Sequence, residues 1–163
     1  MKRKRWKVFI FVLGVVVLGL FIYHYRYGET TIPEIVKDTY TYSSVDSLTA
    51  GYVYVIKGEQ QVRINLLENE AKMIIDALKE TVVHGTEETY SPEAAETNYL
   101  VALEDPKMQT ENITFSIYYD HSKNKNIIYP FIVSRFKPEQ YIPSSNKLMK
   151  TLSNIVSEKA SLK

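Results

Sequence analysis

Three histidines, His24, His84 and His121, are the first side chains to weigh for chemistry. His84 is followed by Gly85 at what reads as a helix end, where the dipole favours its charge without any ligand. His121 follows Asp120 in "DHSKNKN". Two adjacent ligands rarely face one point unless a longer loop brings in others, so the pair reads as a solvated turn. The carboxylate pairs Glu87 with Glu88 and Glu104 with Asp105 fall in loop-like segments, where neighbouring acids are ordinarily solvated charge. Ser43, Ser44, Ser144 and Ser145 lack the glycine setting of a nucleophile elbow, and the chain carries no Walker or dinucleotide loop. With no cysteine, disulfide frameworks, thiolate zinc sites and cysteine nucleophiles are excluded together. Asn112-Ile113-Thr114 forms a glycosylation sequon that matters only in a pathway that reads it. No catalytic residue, metal ligand or cofactor site is nominated, and catalysis is not the expected function.

Tyrosine is the unusual component, with 13 against 6 Phe and one Trp. Tyr and Arg recur at binding surfaces because they bury a large area at low entropic cost and keep a polar end. If the strand alternation described below holds, Tyr52, Tyr54, Arg63 and Tyr118 share the outward face of a sheet. They are the candidate partner-binding surface. The alternative is cross-strand tyrosine pairing that only covers the sheet.

The elements that must position these residues follow from periodicity. In "GYVYVIKGEQQVRIN", Val53 and Val55 alternate with Tyr52, Tyr54 and Ile56, and beyond a turn at Gly58 to Gln60, Val62 and Ile64 alternate with Gln61, Arg63 and Asn65. That pattern predicts a β-hairpin with one apolar face. Leu67, Ala71, Ile74, Ile75, Leu78 and Val82 then form a helical stripe, with Asn65 and Glu68 as a box-like start and Gly85 as the stop. A loop follows over residues 86–96, with a turn of helix at "SPEAAE". Three more strands are expected at Tyr99–Leu103, Ile113–Tyr119 and Ile127–Val133, and a closing helix carries Leu148, Leu152, Ile155 and Val156 inward. The order is ββαβββα. Polar alternate faces argue for an antiparallel sheet with helices on one side, an α+β domain over residues 47–163.

Ahead of the domain, "MKRKRWK" precedes an apolar run from Val8 to Tyr23. About sixteen residues at ~1.5 Å each span about 24 Å, short of the ~30 Å hydrocarbon core. Trp6, Lys7, Tyr23, Tyr25, Arg26 and Tyr27 flank the run with side chains that settle at headgroup level and extend it. No small residues mark a cleavage site, so residues 1–27 read as an uncleaved single-span anchor with its basic flank; the alternative is a cleaved signal with a poor site. These 27 residues hold six of the 20 Lys and Arg and no acid, which leaves 14 bases against 19 acids, a net of −5, in the rest. Positive flanks stay in the cytoplasm, which puts the acidic domain outside and makes nucleic acid a poor partner. Gly14 and Gly19 are five apart rather than four, so no dimerisation through the anchor is expected, and the outer domain should be monomeric. Residues 28–46 are polar and rich in Tyr, Thr and Ser. They read as a stalk that contributes no core positions, with one helical turn started by a Thr31–Glu34 capping box around Pro33.

Basic start, lone anchor, polar stalk and hairpin–helix–sheet domain together resemble the small, uncharacterised membrane-anchored surface proteins and lipoproteins of Gram-positive bacteria. The lipid-accepting cysteine of the lipoproteins is missing. The resemblance implies extracytoplasmic placement and interaction or immunity-like roles, and it transfers no functional residue. The expected function is a membrane-tethered binding or accessory domain that engages a protein or envelope ligand. The alternatives are a bacteriocin or toxin immunity protein and an envelope hydrolase built from scattered carboxylates.

Overall fold

A run of apolar residues with no acid and no proline has nothing to interrupt helix formation, and α1 spans Lys2–Tyr27. The computed structural model describes residues 2–39, 45–92, 95–106, 112–130 and 140–161. Within α1, Phe9–Tyr27 has mean hydropathy 1.9 and is not buried against the rest of the protein, so the helix is long and apolar enough to cross a membrane. It closes where the Gly28 N–H donates to the His24 carbonyl at 2.8 Å.

The segment read as a stalk is instead part of the fold. Strand β1 (Glu29–Thr31) joins the sheet, and α2 (Ile32–Thr39) buries Ile32, Ile35 and Val36 in the main core, where Val45 and Leu48 join them. The anticipated capping box is present in both halves. The Thr31 N–H donates to Glu34 Oε2 at 3.1 Å and the Glu34 N–H to Thr31 Oγ1 at 3.4 Å. Three apolar residues at i, i+3 and i+4 make barely one turn of stripe, and a three-residue strand has no measurable period, so neither stood out from its polar surroundings.

The hairpin forms as expected, from β2 (Ala50–Lys57) and β3 (Gln60–Asn65). Gly58 takes φ +57 at the first central position of the turn, where L side chains are strained. Helix α3 (Glu68–Lys79) starts two residues later than anticipated. Leu67 caps it, with its N–H donating to Glu70 Oε2 at 2.6 Å, in place of an Asn65–Glu68 box. It also stops earlier. Thr81 Oγ1 donates to the Ala77 carbonyl at 2.6 Å, and the β-branched Val82 and Val83 enter strand β4 (Val82–Gly85), so Val82 leaves the helical stripe and His84 is not at a helix end. Strands β5 (Asn98–Glu104), β6 (Asn112–Asp120) and β7 (Lys125–Pro130) occupy the anticipated positions, residues 131–133 of the last lying outside the described residues. A short β8 (Tyr141–Pro143) precedes α4 (Lys147–Ser161). The five anticipated strands and two domain helices therefore recur, with β1, β4, β8 and α2 added to the ββαβββα order. In the expected helical turn at 91–96, the Ala95 N–H reaches the Pro92 carbonyl at 3.2 Å, and residues 93–94 lie outside the described residues.

All eight strands form one antiparallel sheet in the order β1-β4-β8-β7-β6-β5-β2-β3. Its inner face carries Val53, Val101, Leu103, Phe115, Ile117 and Ile128, which pack against Ile74, Ile75 and Leu78 of α3 and Leu148, Leu152 and Ile155 of α4. Leu67, at the head of the anticipated stripe, is 60% exposed. The two helices run antiparallel and are tied at both ends, by Lys159 to Glu70 at 2.9 Å and by Lys147 to Glu80. The exposed Lys147–Glu80 pair contributes about 0–1 kcal/mol, while Lys159 and Glu70 are partly buried, and the apolar contacts between the helices and the sheet form the core.

A fragment that begins at Asp46 lacks Ile32, Ile35 and Val36, and will unfold at lower urea than one that begins at Gly28. In the longer fragment, Ile35→Ala and Ile75→Ala should each cost about 2–5 kcal/mol, and Phe115→Ala about 3–5 kcal/mol. Equal midpoints for the two fragments would show that α2 adds nothing to the core.

Candidate functional site

Alternation along β2 and β3 sends Tyr52, Tyr54 and Arg63 to the outer face, away from the helices. Register does the rest. Tyr54 sits opposite Arg63 and Tyr52 opposite Asn65, so one side chain from each strand can reach diagonally to its neighbour. The Arg63 guanidinium carbon lies 4.0 Å from the centre of the Tyr52 ring, within cation–π range. Tyr52 and Tyr54 meet edge to face, 5.4 Å apart at 80°. Arg63 Nε donates to Asn65 Oδ1 at 3.1 Å, which fixes the guanidinium over the ring. Among the described residues no carboxylate pairs with Arg63, which is exposed, while both tyrosines are half-buried. The corner is a preset aromatic platform with a cation at its rim that no carboxylate among the described residues neutralises. It can stack on a planar group or accept an anion.

Tyr118 does not belong to that exposed surface. Its alternation puts it on the outer face, as anticipated, but it is fully buried in a second, smaller core with Tyr90 and Ile127, bordered by Ala95 and Ile142. Its hydroxyl donates to the Tyr90 carbonyl at 3.1 Å. The strap over residues 86–92 lies across it, held by Gln140. The side-chain amide of Gln140 accepts from the Tyr90 N–H at 2.9 Å and donates to the Tyr90 carbonyl at 2.6 Å, imitating a strand partner. The Thr86 N–H reaches the Gln140 carbonyl at 3.2 Å. Tyr90 in turn donates its hydroxyl to Glu88 at 2.7 Å, and Lys123 lies 3.6 Å from the same carboxylate. These contacts hold Glu88 below the usual carboxylate range, the Tyr90 bond foremost and Lys123 next. Burial, reinforced by Glu88, pushes Tyr90 up to about 12, and burial with the charge of Asp120 does the same to Tyr118. The cover over Tyr118 comes from a segment 28 residues away in sequence, so strand alternation carried no sign of it.

The residues examined first for chemistry are dispersed. His84 lies on β4 opposite Glu29 and Ile142, and exposed His121 packs edge-on to Tyr119, with Glu96 at 3.6 Å. Asp120 Oδ1 accepts from the Ser122 hydroxyl at 2.6 Å and from the backbone N–H groups of Ser122 and Lys123 at 2.8 and 3.1 Å. That is a turn-capping carboxylate, and the Ser122 hydroxyl is the main reason its pKa is lowered. Among the described residues no three His, Asp or Glu side chains converge as a metal would require. A polar cleft of about 330 Å³ lies where α1 meets the strap, lined by Arg26, Tyr27, Glu87, Glu88 and Gln140.

The chain matches no family model, no curated protein and no solved structure.

Tyr118→Phe loses one hydroxyl bond whose acceptor keeps the Gln140 donor, so it should cost about 0.5–1.5 kcal/mol at pH 8. Tyr118→Ala should cost about 3–5 kcal/mol, and the half-buried Tyr54→Ala clearly less. The raised phenols contribute stability that is complete below about pH 10 and is lost as pH climbs towards 12. Urea titrations at pH 8 and pH 11 should thus show a smaller alkaline loss in Tyr118→Phe than in wild type. The depressed Glu88 acts at the other end, its contribution present above about pH 4.3 and lost as pH falls through its folded value.

Proposed function

We propose that this chain is a membrane-tethered binding or accessory domain. In this reading α1 spans the bilayer with the basic residues 2–7 in the cytoplasm, and the acidic α+β domain outside engages a protein or envelope ligand through Tyr52, Tyr54 and Arg63. The observation that carries it is the corner itself, a solvent-facing cation–π and edge-to-face cluster whose Arg63 has no carboxylate partner among the described residues. Structural stacking alone does not require an exposed, uncompensated guanidinium. A partner that supplies an anion and a flat apolar group would bury the tyrosines and neutralise the charge together. The fully solvent-facing apolar length of α1 supports the tether, because exposing it to water would be costly. Charge supports the orientation, since the excess of Lys and Arg lies on the N-terminal side of the apolar run.

Two measurements test the reading. Protease added to spheroplasts should digest residues 28–163 and leave a small anchored fragment, and full protection would reverse the topology. A photo-crosslinking amino acid at position 54 in intact cells should capture a discrete partner band that position 150 on α4 does not. Arg63→Ala should weaken that band several-fold, since truncating such a side chain in an interface costs more than ~1 kcal/mol. Identical patterns from positions 54 and 150 would remove the corner as the site.

A further inference from the structure

Strand β3 ends the sheet, and among the described residues no strand pairs with its outer edge. Which backbone groups that edge presents follows from the hairpin. The Leu66 N–H donates to the Gly51 carbonyl at 3.0 Å, so the pairs of the same parity, Val53 with Ile64, Val55 with Val62 and Lys57 with Gln60, are the hydrogen-bonded ones. Gln61, Arg63 and Asn65 therefore aim their N–H and C=O groups outward, as a template for one more strand. Edge strands are ordinarily protected by proline, by a bulge, by a central lysine or by being very short. This one is six residues long and in unbroken register, with no proline and no bulge, and its central charge is Arg63, which repels a like-charged strand and admits an acidic one.

The same edge borders a groove of about 310 Å³ between β3 and the last turns of α4, lined by Val62, Ile64, Lys159 and Ala160. Val62 is 49% exposed there although it faces the core side. An incoming antiparallel strand would alternate its side chains between this groove and the tyrosine corner. Lys159 is already paired with Glu70, whereas Arg63 beside the edge has no carboxylate partner among the described residues.

Resting on the reading of the corner as a binding site, the geometry points to strand addition: β3 captures an extended segment of a partner protein that places an acidic side chain opposite Arg63 and aliphatic ones over Val62 and Ile64. Charge selects this occupant over a second copy of the chain. Two β3 strands paired over their full outward length would set Gln61 against Asn65 and Arg63 directly against its own copy, and like charges opposite each other are destabilising. A partner carboxylate at that position reverses the sign. Main-chain hydrogen bonds supply the affinity, and the alternating pockets supply the choice of sequence.

The test uses the full chain in lipid nanodiscs and the peptide acetyl-Thr-Val-Glu-Val-Thr-amide, read by hydrogen exchange at the Gln61, Arg63 and Asn65 amides. These amides should exchange freely in the unliganded protein and become protected as peptide is titrated. The same peptide N-methylated at Glu, which cannot donate to the Arg63 carbonyl, should protect nothing. Replacing its Glu with Lys should weaken binding about two- to fivefold, and Arg63→Glu should invert that preference. Protection that survives N-methylation, no protection at any soluble peptide concentration, or protection that grows with protein concentration without peptide would each overturn strand addition, the last by assigning the edge to a second copy. If the crosslink from position 54 persists while the peptide fails, the binding domain stands and only its mode is overturned; if both fail, the site itself is lost.

Discussion

The structure depends on one row of inward side chains. Val62, Val55, Tyr99, Ile117, Ile128 and Tyr141 stand opposite one another across six strands, each pair set by antiparallel register. Because side chains alternate with period two, a slip of one residue in any strand would turn its apolar set from the core to the solvent face. The two helices can pack only if the row is intact, since Ile74, Leu78, Leu148 and Leu152 rest on it. Gly51 belongs to the same constraint: a Cβ there would lie 2.2 Å from the Ala102 carbonyl oxygen, so the close approach of β2 to β5 admits no side chain.

What the inner row fixes, the outer face inherits. Once Val53 and Val55 point inward, Tyr52 and Tyr54 have no choice of side, and Arg63 must lie opposite Tyr54. The outer face is then divided. Over β6 and β7 the strap with Tyr90 covers Tyr118 and Ile127, clamped by Gln140, and turns that half into a second core. Over β2 and β3 no such strap lies among the described residues, and the aromatic corner stays accessible. Identical alternation thus yields core at one end and a surface at the other.

The sheet also separates α1 from the tyrosine corner. Helix α1 runs through Gly28 into β1, one edge strand, while β3 is the opposite edge. With eight strands and a spacing of ~4.8 Å, the path across the sheet from one edge to the other is about 34 Å. Because β1 is hydrogen-bonded to β4, α1 connects to the domain through the sheet and through α2. A proposed binding edge on the far side is clear of the helix that would enter the bilayer.

The sequence by itself determined whatever has a period. The hairpin at 50–65, the inward sets on β5 and β6, the stripe of α3 and the closing helix were legible because each repeats an apolar residue at two or about 3.6 positions over enough length. So were the apolar length of α1 and the Thr31–Glu34 cap, which involve neighbours in the chain. Tertiary structure decided the rest. The three-residue β1 and β8 and the four-residue β4 exist because a partner strand satisfies their backbone groups, and α2 is helical core because Ile35 and Val36 find the α3 side of the sheet. The candidate site divides the same way. Tyr52, Tyr54 and Arg63 could be placed on one face from alternation, but the burial of Tyr118 rests on Tyr90, which Gln140 holds from 50 residues away. Alternation specifies which side of a sheet a residue occupies; whether that side meets water depends on which distant segment folds across it, and no local period records that.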